Sequence, residues 1–157
     1  FDAISRTYKY KISFYKDPFR HERYFEIRNK FNFENIKTAT ESLLLYNDFK
    51  SFSKTRSDTK NYLCDISKVD WKLKNDRAVF TITANRFLRN MVRAIVGTLV
   101  EVGKNKISVD EFNDIIILKD RKKAGFSVPA CGLYLVNVEY PKHIFCRWKE
   151  INHRILI

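Results

Sequence analysis

Between Asn85 and Val102 the apolar residues Phe87, Leu88, Met91, Val92, Ile95, Leu99 and Val102 recur at helical spacing. A helix with so broad an apolar face must bury that face against other elements, so the run predicts a long amphipathic helix at the centre of the fold. It is too short and too polar at its flanks for a membrane span, which takes about 20 apolar residues. At 100° per residue, Arg86, Arg89, Arg93 and Gly97 fall within about 80° of one another, which places three guanidinium groups on one stripe of the opposite face. Arg93 is the unusual one, because it sits mid-helix beside residues expected to be buried. An arginine there needs a carboxylate or phosphate. The positions one turn away are Arg89, Asn90, Val96 and Gly97, none of them acidic. Either its partner is distant in sequence or that face is wet.

The rest of the chain supplies material for a sheet. From Ile4 to Phe14 the residues alternate, with Arg6, Tyr8, Tyr10 and Ile12 on one side and Thr7, Lys9 and Lys11 on the other, which predicts a β-strand. Residues Asn35 to Tyr46 read as an amphipathic helix through Ile36, Ala39, Leu43 and Tyr46. Tyr62 to Leu73 and Ala78 to Ala84 read as a hairpin around Lys74-Asn75-Asp76. Ser108-Val109-Asp110-Glu111 is a capping box opening a helix to about Leu118, and Gly132 precedes a last strand, Leu133 to Tyr140, ended by Pro141. The expected architecture is α+β: a mostly antiparallel β-sheet flanked by helices. Residues 1–141 form the expected domain, and 142–157 a basic C-terminal tail containing Trp148.

Charge narrows the function. Thirty Lys+Arg against 18 Asp+Glu give a formal net charge of +12, and 15% of residues are aromatic. Such a surface attracts a polyanion by counterion release, and aromatic rings beside the cations suit nucleic-acid bases. Tyr8 lies between Arg6 and Lys9, and Phe87 between Arg86 and Arg89. Cys64, Cys131 and Cys146 are odd in number and widely spaced, which argues against a disulfide framework or metal site and fits a cytoplasmic chain with no membrane association. No Ser-His-Asp set, phosphate-cradling Gly-rich loop or dinucleotide fingerprint occurs. His21, His143 and His153 are isolated and read as surface residues, and Asp58 in Arg56-Ser57-Asp58 reads as a solvated carboxylate rather than a catalytic one.

The run from Ala84 through Asn85-Arg86-Phe87-Leu88-Arg89-Asn90-Met91-Val92-Arg93 to Leu99, followed by Glu101-Val102-Gly103, closely resembles the tRNA pseudouridine synthase A family. The resemblance extends in order to Arg6-Thr7-Tyr8-Lys9-Tyr10, Asn47 to Phe52, Lys119 to Gly125, and Pro129-Ala130-Cys131-Gly132-Leu133-Tyr134-Leu135. It implies one half of a pseudouridine synthase catalytic fold and isomerisation of uridine to pseudouridine in the anticodon stem-loop of tRNA, without metal or organic cofactor. The family's nucleophilic aspartate lies in a Gly-Arg-Thr-Asp motif that residues 1–157 do not contain. The expectation is therefore of a C-terminal half, inactive alone, whose partners are tRNA, a missing N-terminal half and a second copy in a homodimer. By resemblance Tyr8 stacks on the target uridine and helps remove its C5 proton, and Arg93 pairs with the catalytic aspartate. Gly132 and Leu133 line the uracil pocket. Arg6, Lys9, Asn85, Arg86, Arg89, Lys122 and Lys123 are the expected RNA contacts. The alternative is a non-catalytic RNA-binding module using the same surface.

Overall fold

The structure, a computed structural model, describes residues 2–16, 18–19, 22–28, 31–55 and 59–144. His21, Arg56, Asp58, Cys146, Trp148 and His153 fall outside these, as does the tail from 145 onward. Strand β1 (Ser5–Ser13) forms over the alternating run and carries the sheet. On one edge it pairs antiparallel with β4 (Arg77–Ala84), which pairs in turn with β3 (Ile66–Lys74). Its other edge is shared by β5 (Leu133–Glu139), antiparallel along Ser5 to Tyr10, and by the two-residue β2 (Phe25–Glu26), parallel at Ile12 and Ser13. The α+β reading and the mostly antiparallel sheet hold.

The face that carries Tyr10, Ile12, Phe80 and Ile82 shares one hydrophobic core with the helices. Helices α1 (Phe33–Ser42), α2 (Met91–Gly103) and α3 (Val109–Leu118) also pack on one another. In α2, Ala94 through Val100 are buried without a break, so the helix lies between the sheet and its neighbours. Burying each of its large aliphatic side chains stabilises the fold by roughly 1.5–3 kcal/mol. The opposite sheet face, with Thr7, Lys9 and Lys11 beside Thr83, Thr81 and Val79, has no helix over it among the described residues. Thr7 and Thr83 join their hydroxyls there at 2.9 Å.

Three elements depart from the sequence reading. Helix α1 ends at Ser42 and tightens into a 3-10 turn, Leu43–Leu45. Strand β3 starts at Ile66 rather than Tyr62; before it, the pairing is one bridge between Asp48 and Leu63. The largest change is in α2, which begins at Met91 and not Asn85. Asn90 stands in the left-handed region with φ 71°, a conformation that ends a right-handed helix and that asparagine tolerates better than most residues. Upstream, Asn85 is tied to Asp65: its Nδ2 donates to the Asp65 carboxylate at 2.8 Å and its Oδ1 accepts from the Asp65 amide at 2.9 Å. Arg86 and Arg89 therefore share no helical stripe with Arg93. Phe87 and Leu88 keep the helical period while packing on the core from a loop.

Candidate active site

Tyr8 lies mid-strand on β1, on the helix-covered face, where the helix layer gives way to the 85–90 loop. Its ring meets Phe87 edge to face, with centroids 5.1 Å apart and planes at 88°. The two rings, with Ala3, Ile4, Arg6, Asn85 and Arg86, line a cleft of about 690 Å³. Such a volume accommodates a small ligand, since binding pockets run from about 300 to 1,000 Å³. Arg6 braces the cleft by donating from its guanidinium to the Asn85 carbonyl at 2.6 Å and the Ala3 carbonyl at 3.3 Å. Its charge thus lines the cleft on a fixed side chain.

One pleat repeat further along β1, roughly 7 Å, is Tyr10. It is fully buried, and its hydroxyl donates to the Pro129 carbonyl at 2.6 Å. Burial, reinforced by nearby Cys131 and only partly offset by the positive charge of Arg93, raises its pKa well above the ordinary phenol value. Arg93 takes the adjacent carbonyl: its Nε donates to Val128 at 2.6 Å, while the Val128 amide donates back to the Arg93 carbonyl at 3.2 Å. Consecutive carbonyls of one loop therefore hold Tyr10 and Arg93 beside each other. Among the described residues no carboxylate lies within ion-pair distance of Arg93, which leaves its terminal guanidinium nitrogens for a further acceptor.

That loop is latched along α2 by residues the sequence did not single out. Asn90 Nδ2 donates to Ser127 Oγ at 2.6 Å, Arg121 donates to the same oxygen at 3.0 Å, and the Gly125 amide donates to Thr98 Oγ1 at 2.9 Å. Arg121 also donates to the Ala124 and Gly125 carbonyls at 3.2 and 3.0 Å. The approach is so close that a Cβ on Gly97 would stand 1.7 Å from the Phe126 carbonyl oxygen. Gly97 and Thr98, adjacent on α2, were the available signal: a residue without a side chain beside a hydroxyl admits a backbone and offers it an acceptor.

The other expected site residues are distributed more widely. Lys9 projects from the opposite sheet face to Tyr8, because neighbouring residues of a strand alternate, so the two do not flank one cleft. Asn85 lines the cleft, but its amide group is already committed to Asp65. Arg86 is half-buried at the cleft, and Arg89, Lys122 and Lys123 are exposed outside it. Gly132 is buried against β1, where a Cβ would approach the Lys11 carbonyl oxygen to 2.7 Å. Leu133 pairs with Tyr10, while the strand neighbour of Tyr8 is Leu135, which is 53% exposed. A register shift between Thr7 and Tyr8 leaves Val136 as an extra residue on β5, and an irregularity of this kind could not be read from period-two alternation.

A family model described as tRNA pseudouridine synthase matches residues 39–141, which include β3, β4, all of α2 and the latched loop. The chain belongs to the tRNA pseudouridine synthase family. It is 50% identical over 145 residues to tRNA pseudouridine synthase A of Parabacteroides distasonis and 51% identical over 146 residues to that of Bacteroides fragilis; each alignment covers 92% of this chain and 58% of the relative. Against tRNA pseudouridine synthase A of Bacillus subtilis it is 34% identical over 142 residues, covering 89% of this chain and 58% of the relative. The chain thus spans about 58% of the length of these synthases.

Proposed function

We propose that the protein containing this chain isomerises uridine to pseudouridine in tRNA, and that this chain supplies one wall of the catalytic cleft. The observation that carries the reading is the pairing of a ring-lined, arginine-edged cleft at Tyr8 with a half-buried Arg93 that has no acidic partner among the described residues. In this reading the Tyr8–Phe87 pair offers an aromatic face to a uracil taken out of its stack, as enzymes acting on a base require. The Tyr8 hydroxyl assists removal of the C5 proton. Arg93, held at Nε by Val128, presents its remaining nitrogens to the nucleophilic aspartate of the Gly-Arg-Thr-Asp motif, keeping that carboxylate ionised and oriented for attack. That aspartate lies outside residues 1–157. Gly132 and Leu133, which lie beside Tyr10, extend the uracil pocket along β1, and Arg6 and Arg86 hold flanking phosphates. The proposed target is the anticodon stem-loop, bound by a cytoplasmic homodimer whose active sites each combine this chain with an N-terminal half.

Tritium release from tRNA made with 5-tritiated uridine tests the chemistry. The complete reading frame is expected to release tritium, and Arg93→Ala and Tyr8→Phe to lose at least about a hundredfold, the usual scale of a lost electrostatic or proton-transfer partner. A complete frame that binds tRNA tightly but releases nothing would favour the RNA-binding module.

A further inference from the structure

A second cleft, about 320 Å³ in volume, lies where the Lys119 to Lys122 turn meets the segment from Lys50 to Thr55. It is lined by Lys50, Lys54, Lys119, Arg121 and Lys122 against the single carboxylate of Asp120, with Tyr62 and Ser53 completing its wall. Two of the cations are already engaged. Lys119 pairs with Asp48 at 2.8 Å, and Arg121 holds the active-site loop. Burial alone would raise the Asp48 carboxyl, but hydrogen bonds from Lys119 and the Lys50 amide and the charges of both lysines hold it below the ordinary value. The ammonium groups of Lys50, Lys54 and Lys122 have no hydrogen-bond or ion-pair partner among the described residues, and Lys50 lies 5.6 Å from the centroid of the Tyr62 ring.

Ser53 separates this cleft from an ordinary cationic patch. The residue is only 3% exposed, yet its buried Oγ has no hydrogen-bond partner among the described residues. A buried hydroxyl normally has one, so a residue lining the cleft keeps an unused donor just beneath its surface. Around it are the ammonium groups of Lys54 and Lys122, without a hydrogen-bond or ion-pair partner among the described residues, and that of Lys50 over the Tyr62 ring. The Lys54 amide also donates to the Arg89 carbonyl at 3.0 Å, which joins the cleft to the 85–90 loop whose Asn85, Arg86 and Phe87 line the Tyr8 cleft.

From this arrangement we infer a second nucleic-acid subsite, in which Lys50, Lys54, Lys122 and Ser53 bind a backbone phosphate of the RNA while Tyr62 carries a neighbouring base. The inference rests on the proposed RNA substrate but is separate from the chemistry at Tyr8. An aromatic face beside the cations favours a polynucleotide over an acidic polypeptide, because a base has a π-face to stack.

The test measures tRNA affinity of the complete reading frame across a salt series. The three lysines are exposed, so Lys50→Ala/Lys54→Ala/Lys122→Ala should fold normally. Measured above about 0.1 M salt, its slope of log affinity against log salt is expected to fall by about one, the value for one neutralised phosphate, and a Lys68→Ala/Lys74→Ala control on β3 to leave the slope unchanged. Tyr62→Leu is expected to weaken binding about five- to a hundredfold at unchanged slope. An unchanged slope in the triple variant, or equal competition by polyglutamate and RNA, overturns the subsite. Tritium release separates this from the synthase reading: a triple variant with raised KM and retained kcat supports the subsite. A silent wild-type frame whose triple variant still loses slope refutes the chemistry and retains the subsite.

Discussion

Gly97 shows how one absent side chain shapes the site. Replacing glycine by alanine within a helix normally stabilises it by up to about 1 kcal/mol. Here the new methyl would meet a backbone oxygen at 1.7 Å, and neither the loop nor α2 can rotate away as a side chain would. Overpacking costs about 1–3 kcal/mol, so the steric term wins. Gly97→Ala is expected to lower the urea midpoint and to reduce tritium release along with it, whereas a stabilised variant would mean that the loop is not latched. Tyr10 gives a pH-dependent counterpart. Its folded-state pKa is raised, so the phenol stays protonated in the fold while the unfolded chain releases its proton above the ordinary value of 10.0. Stability from this group is therefore level below pH 10 and declines as pH rises above it, by at most about 1.4 kcal/mol per unit. Subtracting the alkaline unfolding curve of Tyr10→Phe from that of the wild type isolates the effect from the other tyrosines; coincident slopes would contradict it.

The helices show which boundaries are written locally. Helix α3 was legible because its start is encoded in four consecutive residues. Ser108 Oγ accepts from the Glu111 amide at 3.1 Å, and the Glu111 carboxylate accepts from the Ser108 amide at 2.7 Å. Ser108→Ala should cost about 0.5–2 kcal/mol and speed amide exchange first in the opening turn of α3. Protection lost uniformly across the chain would show instead that α3 does not open on its own. The start of α2 was not legible, because it depends on a contact 37 residues away between Asn90 and Ser127. Apolar spacing continued smoothly through Phe87 and Leu88, and periodicity cannot distinguish a helix from a loop that happens to bury residues at the same interval. The candidate site divides in the same way. Tyr8 and Arg93 could be singled out from sequence, while Val128, Ser127 and Arg121 could not, since their roles exist only once the loop lies against α2.

Across the whole molecule, charge and shape are distributed differently. Described cations lie on both sides of the sheet, Arg6 on one and Lys9 on the other, while the two clefts are linked through the 85–90 loop, where the Lys54 amide donates to the Arg89 carbonyl. Lys9 and Lys72 are exposed and lie on the helix-free face. Packed layers lie about 10 Å apart, which exceeds the roughly 8 Å screening length at physiological ionic strength. Charges on the bare face should therefore act on an approaching polyanion at low salt and be largely screened, at physiological salt, from RNA in the proposed complex at the Tyr8 cleft. In the complete reading frame, Lys9→Ala/Lys72→Ala should slow RNA association several-fold at about 10 mM salt, where the screening length reaches about 30 Å. The same variant should retain kcat/KM for tritium release within about twofold at 0.15 M, because only long-range steering has been removed. A large loss of kcat/KM at the higher salt would mean that RNA wraps the sheet and touches both faces, placing Lys9 in the productive interface after all.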